Sequence, residues 1–157
     1  MPAAATSETL WLHAEAVRPE WIDYNQHLTE AFYVLIFGNA TDAFLDRIGM
    51  DGAYRARTAR SAYTVEAHIK YLREVKLGET VRIGTRLLGF DQKRLRLYHE
   101  MVRASDGVLA AEEELVTLSI DTCGPKVVPF EAETLERLRA LSSEKAVSGT
   151  RPGGPPF

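Results

Sequence analysis

From residue 62 the chain alternates, with Tyr63, Val65, Ala67, Ile69 and Tyr71 on one side of an extended backbone and Thr64, Glu66, His68 and Lys70 on the other. A period of two predicts a half-buried β-strand over residues 62–71. The pattern recurs over 80–88 with Val81, Ile83, Thr85 and Leu87, and over 94–102 with Leu95, Leu97 and Met101. A longer run of the same kind covers 108–121. Turn chemistry bounds each segment: Leu77-Gly78-Glu79, Gly89-Phe90-Asp91-Gln92, Ser105-Asp106-Gly107 and Cys123-Gly124-Pro125. Connections this short make hairpins, so the sheet is expected to be antiparallel. Residues 10–17 read as a further strand, placing Leu10, Leu12, Ala14 and Ala16 opposite Trp11, His13 and Glu15, and Pro19 ends it.

The period changes between the first strand and the rest. Residues 29–48 predict a helix that closes at Gly49, where a C-terminal glycine is expected. Its first half, Ala31-Phe32-Tyr33-Val34-Leu35-Ile36-Phe37, is apolar nearly all round, so the helix belongs inside and something must wrap it. Residues 131–141 carry Leu135, Leu138 and Leu141 at helical spacing and predict a short amphipathic helix docked on the domain. The fold class is therefore α+β, a five-stranded antiparallel sheet curled round one long buried helix with a short C-terminal helix. The sheet has two free edges, and a two-fold dimer that continues it is one way to protect them.

Composition narrows the picture without redirecting it. The 157 residues, 45% hydrophobic and 26% charged, are expected to form one domain over residues 10–146. A loose arm is expected over 1–9 and an unpacked tail over 147–157, which is rich in proline and glycine. A formal charge of −3 gives no general attraction to nucleic acid or to an anionic membrane, so neither is expected as a partner. No stretch approaches the ~18 uninterrupted apolar residues of a membrane helix. The single cysteine, Cys123, excludes an internal disulfide and fits a cytoplasmic protein.

Candidate chemistry gathers just before the long helix, in Trp21-Ile22-Asp23-Tyr24-Asn25-Gln26-His27-Leu28-Thr29. An aspartate near a helix entrance, beside free backbone N–H groups, can direct water at a polarised carbonyl; its ordinary role would be a cap or turn former. His27 can donate a hydrogen bond that orients Asp23 or a carbonyl. Trp21, Tyr24, Phe32 and Tyr33 are otherwise core residues, but together they could cage a cationic group through cation–π attraction. Asp23, Glu66 and the histidines lack a tight ligand spacing, so no metal is expected.

The element order and this loop resemble the hotdog-fold acyl-CoA thioesterases of the 4-hydroxybenzoyl-CoA type, over about residues 12–121. Members of that group often carry Asp, two residues, Gly-His, an apolar residue and Asn at the loop; here Gln26 replaces the glycine and Thr29 the asparagine. Trp21-Ile22-Asp23-Tyr24-Asn25, Ala40-Thr41-Asp42-Ala43 and Tyr71-Leu72-Arg73-Glu74-Val75 are more closely similar to the thioesterases of carnitine breakdown that act on betainyl-CoA. The resemblance implies Asp23 as nucleophile or general base, assisted by His27, with backbone N–H groups at the helix start holding the oxyanion. It implies a substrate pocket of Trp21, Tyr24, Asn25, Tyr33, Thr64 and Glu66, with residues drawn from a partner in a homodimer or homotetramer. Lys93 and Arg94, with Arg96, would meet the phosphates of coenzyme A, which is part of the substrate and not a separate cofactor.

Two other readings stand beside hydrolysis. A hydratase or dehydratase of the same fold would need a histidine and an acid paired across the site, whereas His27 lies four residues from Asp23 in one loop. A non-catalytic acyl-CoA sensor would need an effector or a basic recognition helix.

Overall fold

The structure, a computed structural model, describes residues 7–143. The tail expected over 147–157 and residues 1–6 of the expected arm lie outside that range. At Ser7 the arm is already fixed: its N–H donates to the Leu87 carbonyl, and its hydroxyl accepts from the Leu87 N–H at 2.8 Å.

Strand β1 (Leu10–Ala16) leads through one 3₁₀ turn at Pro19–Trp21 to helix α1 (Glu30–Arg47) and a short helix α2 (Gly52–Thr58). Strands β2 (Arg60–Tyr71), β3 (Thr80–Phe90), β4 (Arg94–Arg103), β5 (Leu109–Asp121) and β6 (Lys126–Val127) follow, and α3 (Ala132–Ser143) closes the domain. The sheet runs β1-β3-β4-β5-β2 with every pairing antiparallel, and β6 adds two residues beside the end of β5. Among the described residues the sheet thus has six strands, one short strand more than the alternation predicted.

Helix α1 presents Tyr33, Ile36, Phe37, Ala40, Thr41, Phe44 and Leu45 to the sheet at helical spacing. It ends as its sequence requires. Gly49 takes φ +85°, its N–H donates to the Asp46 carbonyl, and the Met50 N–H reaches back to Leu45, which satisfies two end carbonyls. The expected wrapping covers only one side of α1, since a curled sheet has one concave face. Ala31 and Gly38 are exposed, and so are Val34 (46%) and Leu35 (45%).

The core has two apolar regions, one under each half of α1. The first includes Trp21, Leu28, Tyr33, Ile36 and Phe37 against Val81, Ile83 and Met101. The second sets Phe44, Leu45, Ile48 and Met50 against Leu87, Leu95, Leu97 and Leu138. Full burial of side chains of this size contributes roughly 1.5–3 kcal/mol each.

Between the regions a polar row crosses the concave face, since Thr85, His99 and Glu113 are successive register partners on β3, β4 and β5, and Ile69 of β2 follows beyond it. His99 is fully buried, stacked on Phe37, and bonded at both nitrogens: Nε2 to Thr41 Oγ1 at 2.9 Å and Nδ1 to Thr85 Oγ1 at 2.8 Å. Thr41 donates its only hydroxyl proton to the Phe37 carbonyl, so the neutral ring carries its proton on Nε2 and accepts at Nδ1. Burial holds the ring uncharged down to about pH 3.

Strand β2 departs from its predicted faces. Val65 is an extra residue between Thr64, which pairs with Thr117, and Glu66, which pairs with Val116. This bulge inverts the phase. Ala62 and Thr64 share the inner face with Ala67, Ile69 and Tyr71, while Tyr63 turns outward. β2 is also an edge strand with little above it, so Val65 is 56% exposed.

Candidate active site

The loop after the 3₁₀ turn is fixed at both ends. Trp21 is buried and stacks on Phe32 at 5.4 Å, the Thr29 N–H donates to the Trp21 carbonyl, and Ile22 bridges Leu28. Inside that frame the Asp23 N–H donates to the His27 carbonyl at 3.0 Å, and the Gln26 N–H donates to the Asp23 carbonyl at 3.0 Å. Gln26 sits at φ +65°, a left-handed conformation that glycine adopts freely and glutamine resists. The loop keeps its shape despite the glutamine because its ends are held by these bonds.

The Asp23 side chain is a turn former and more. Its Oδ1 accepts the Asn25 N–H at 2.8 Å and the His27 N–H at 3.4 Å, which fixes the carboxylate. Among the described residues no hydrogen bond engages Oδ2. Thr29, at the head of α1, makes no side-chain capping bond and its carbonyl takes the Phe32 N–H, so among the described residues the Glu30 and Ala31 N–H groups stand open beside the loop.

Asp23, His27, Tyr33, Tyr71, Arg73 and Glu74 line an open cleft of about 430 Å³. Tyr33 and Tyr71 meet edge to face with ring centres 5.1 Å apart. The Tyr33 hydroxyl donates to the Arg73 carbonyl and the Tyr71 hydroxyl to the Glu30 carbonyl, each at 3.3 Å. Burial raises both phenols above their ordinary range, and the charges of Glu30 and Glu113 push Tyr71 further the same way. Both therefore act as neutral donors and aromatic walls.

The residues expected from sequence divide into two groups. Asp23, His27 and Tyr33 come together in the cleft, with Asn25 holding Asp23 through its backbone. The His27 contact to Asp23 is made by its N–H and not by its ring. The expected four-ring cage does not assemble within one chain: Trp21 and Phe32 pack on each other, and Tyr24 is 92% exposed.

The bulge at Val65 separates Thr64 from Glu66, which bonds His68 on the outer face. Both lie along β2 from Tyr71, Thr64 by roughly 20 Å, so one chain does not bring them to Asp23. Lys93 and Arg94 sit at the far end of β3 from the Asp23 loop, roughly 30 Å away by strand length. Arg94 pairs with Asp91 at 2.7 Å and Arg96 pairs with Glu114, so their charges are already engaged.

Sequence reasoning missed Tyr71 and Arg73 as cleft residues and missed Glu113 altogether. The signal for Glu113 was present: it alternates in phase with Ala111, Leu115, Thr117 and Ser119, all buried. Among the described residues no group of His, Cys, Asp and Glu is disposed to hold a metal ion, and no helix is long and apolar enough to cross a membrane.

A curled antiparallel sheet cupping one helix, with an acid turned into a cleft at the helix start, is the arrangement of hotdog-fold thioester hydrolases. Residues 17–138 match the thioesterase-like superfamily, and the chain belongs to it. It is 42% identical over 136 residues to the betainyl-CoA thioesterase of Pseudomonas aeruginosa, covering 87% of this chain and 86% of that one. It is 43% identical over the same length to the L-carnitine dehydrogenase/betainyl-CoA thioesterase of Agrobacterium fabrum, of which it spans 28%. Among solved structures, a Pseudomonas putida protein named for an inferred thioesterase activity superposes with TM-score 0.78 at 39% identity, covering 100% of this chain and 97% of the other. A Staphylococcus aureus protein solved with CoA shares the fold, with TM-score 0.83 at 24% identity and 92% of each chain covered.

Proposed function

We propose that the protein hydrolyses betainyl-CoA to betaine and free CoA, with Asp23 as the general base. The observation that carries this reading is the Asp23 carboxylate itself, held by two N–H groups on one oxygen and free on the other at the cleft. The identity with betainyl-CoA thioesterases over most of the chain supports the substrate.

In this mechanism Asp23 removes a proton from water as the oxygen adds to the thioester carbonyl carbon. The carbonyl oxygen takes the negative charge against the open N–H groups of α1. Collapse breaks the C–S bond, and the thiolate recovers the proton from Asp23. His27 lines the same cleft beside Glu74 and places a polar ring near the thioester. With its ring unbonded to Asp23, the paired acid and histidine of a hydratase is not what this loop supports. Arg73, the cationic group of the cleft lining, replaces Lys93 and Arg94 as the nearest candidate for a phosphate of coenzyme A.

A homodimer accords with the same features. The twelve-residue strand β2 leaves a sheet edge unpaired among the described residues, and α1 exposes the apolar side chains of Val34 and Leu35. Pairing two β2 edges antiparallel would continue the sheet and bring a partner's strand residues toward each site.

The test is release of free thiol from a panel of acyl-CoAs by the protein and by Asp23→Asn. Betainyl-CoA is expected to turn over, and the variant to lose about 10²- to 10⁴-fold in kcat while still binding substrate. Undiminished turnover by Asp23→Asn would overturn the assignment.

A further inference from the structure

Glu113 stands at the end of the polar row, 5% exposed, with its side chain on the concave face. Its two sequence neighbours point the other way and are matched: Glu112 accepts from the Tyr98 hydroxyl at 2.6 Å and faces Lys70 at 3.7 Å, and Glu114 pairs with Arg96. The next member of the row, His99, uses both nitrogens on threonine hydroxyls and offers Glu113 nothing. Among the described residues Glu113 has no hydrogen bond and no ion pair. An ionised acid in that position is costly unless something else supplies a positive charge.

Its position points to where that charge would come from. The register partner of Tyr71 is Ala111, two residues from Glu113 on the same face of β5, a diagonal separation of about 7 Å that long side chains span. The Glu113 charge is felt at the Tyr71 hydroxyl. Tyr71 and Tyr33 in turn wall the cleft that holds Asp23. From the reacting carboxylate inward, the order is cleft, two aromatic rings, and an unmatched acid.

Such an order suits one chemical class. A quaternary ammonium has no N–H and cannot use directional acceptors; it is held by aromatic faces and by negative charge acting through a poorly screened interior. We propose that Glu113 is the specificity-determining residue for a permanently cationic acyl head, with Tyr33 and Tyr71 as the walls against which that head lies. The assignment rests on acyl-CoA hydrolysis at Asp23 and adds the basis of selectivity.

The experiment compares betainyl-CoA with 3,3-dimethylbutanoyl-CoA, which has the same shape with carbon in place of the ammonium nitrogen. Values of kcat/KM are measured for both substrates with the native protein, Glu113→Gln, Glu113→Asp and Asp23→Asn. The native protein is expected to favour the cation. In Glu113→Gln the cationic substrate should lose about 10- to 100-fold while the neutral one is unchanged, and Glu113→Asp, which restores the charge, should recover part of the preference. A Glu113→Gln protein that keeps the native preference overturns the proposal and leaves the thioesterase reading intact. Equal losses on both substrates also overturn it, because they would mark a proton donor or a structural residue. A native protein inactive on both, or an active Asp23→Asn, overturns the underlying reading as well.

Discussion

Replacing Glu113 with glutamine should stabilise the protein above neutrality and leave it unchanged in acid. Burial pushes the Glu113 carboxyl up to about 7, against an ordinary 4.5. The groups beside it do not relieve this: His99 on β4 is neutral, and Tyr71 on β2 and Tyr33 on α1 are protonated. Below pH 4.5 the acid is protonated in both folded and unfolded chains, and its full contribution to stability is present. As pH rises from 4.5 to 7 the unfolded chain ionises first, so the folded state holds the extra proton and stability falls by about 1.4 kcal/mol per pH unit. Over the 2.5 units between the two values this comes to about 3 kcal/mol. Glutamine matches the neutral acid in shape and has no such dependence. Urea unfolding of both proteins at equal protomer concentration, at pH 4.5 and pH 8, reads the difference directly. The expected gap is near zero at the lower pH and about 3 kcal/mol in favour of Glu113→Gln at the higher. A gap independent of pH, or a variant less stable at pH 8, would refute the claim that Glu113 is buried without a partner.

Two further outcomes follow from groups held in unusual states. Gln26→Gly relieves a left-handed glutamine in the Asp23 loop and should add about 1 kcal/mol, a rise in Tm of about 2–4 °C by calorimetry; an unchanged or lower Tm would mean that the loop bears no strain. His99 moves stability the opposite way from Glu113, because its folded value of about 3 lies below the ordinary 6.5. Its contribution is complete above pH 6.5 and falls away toward pH 3 as the unfolded chain takes up the proton first, a loss of about 5 kcal/mol. Acid unfolding followed by near-ultraviolet circular dichroism should show this slope, and His99→Gln should flatten it.

Much of the architecture was legible because each long element shows its face at a constant period. Phe37 and Phe44 of α1, Ile48 at its C-terminal cap, and Val81, Ile83 and Leu87 of β3 are buried where their spacing puts them. The bulge at Val65 was not legible, since an inserted residue inverts a strand's faces without disturbing the written alternation. Helix α2 escaped notice because seven residues hold too little periodicity; its marks are local, an Asp51 side chain that accepts the Tyr54 N–H and a left-handed Ala59 at its end. Asp23, His27 and Tyr33, which share the cleft, could be grouped from sequence because they are close in the chain. Lys93 and Arg94 were misplaced because a hairpin tip looks the same in sequence whichever end of the sheet it occupies. Glu113 was overlooked within Glu112-Glu113-Glu114, where a run of like charges reads as a solvated face although strand geometry turns its middle member inward.

The Thr85, His99 and Glu113 row also bears on how binding and protonation are coupled. The fold provides His99 with two hydroxyls, Thr85 of β3 and Thr41 of α1, and among the described residues nothing for the acid next to it, so Glu113 goes unmatched in an interior that is not uniformly apolar. Near pH 7 that acid is about half protonated, because ionisation is opposed only by burial. A cation seated against Tyr33 and Tyr71 would favour the ionised form and draw the Glu113 value back toward that of a free carboxylate. Binding the cation and losing the proton then become one linked equilibrium, and the charged ligand is held more tightly as pH rises toward and past 7, while a neutral ligand of the same shape gains nothing. On this argument the stability that the free protein gives up at Glu113 is recovered when the cationic head is bound.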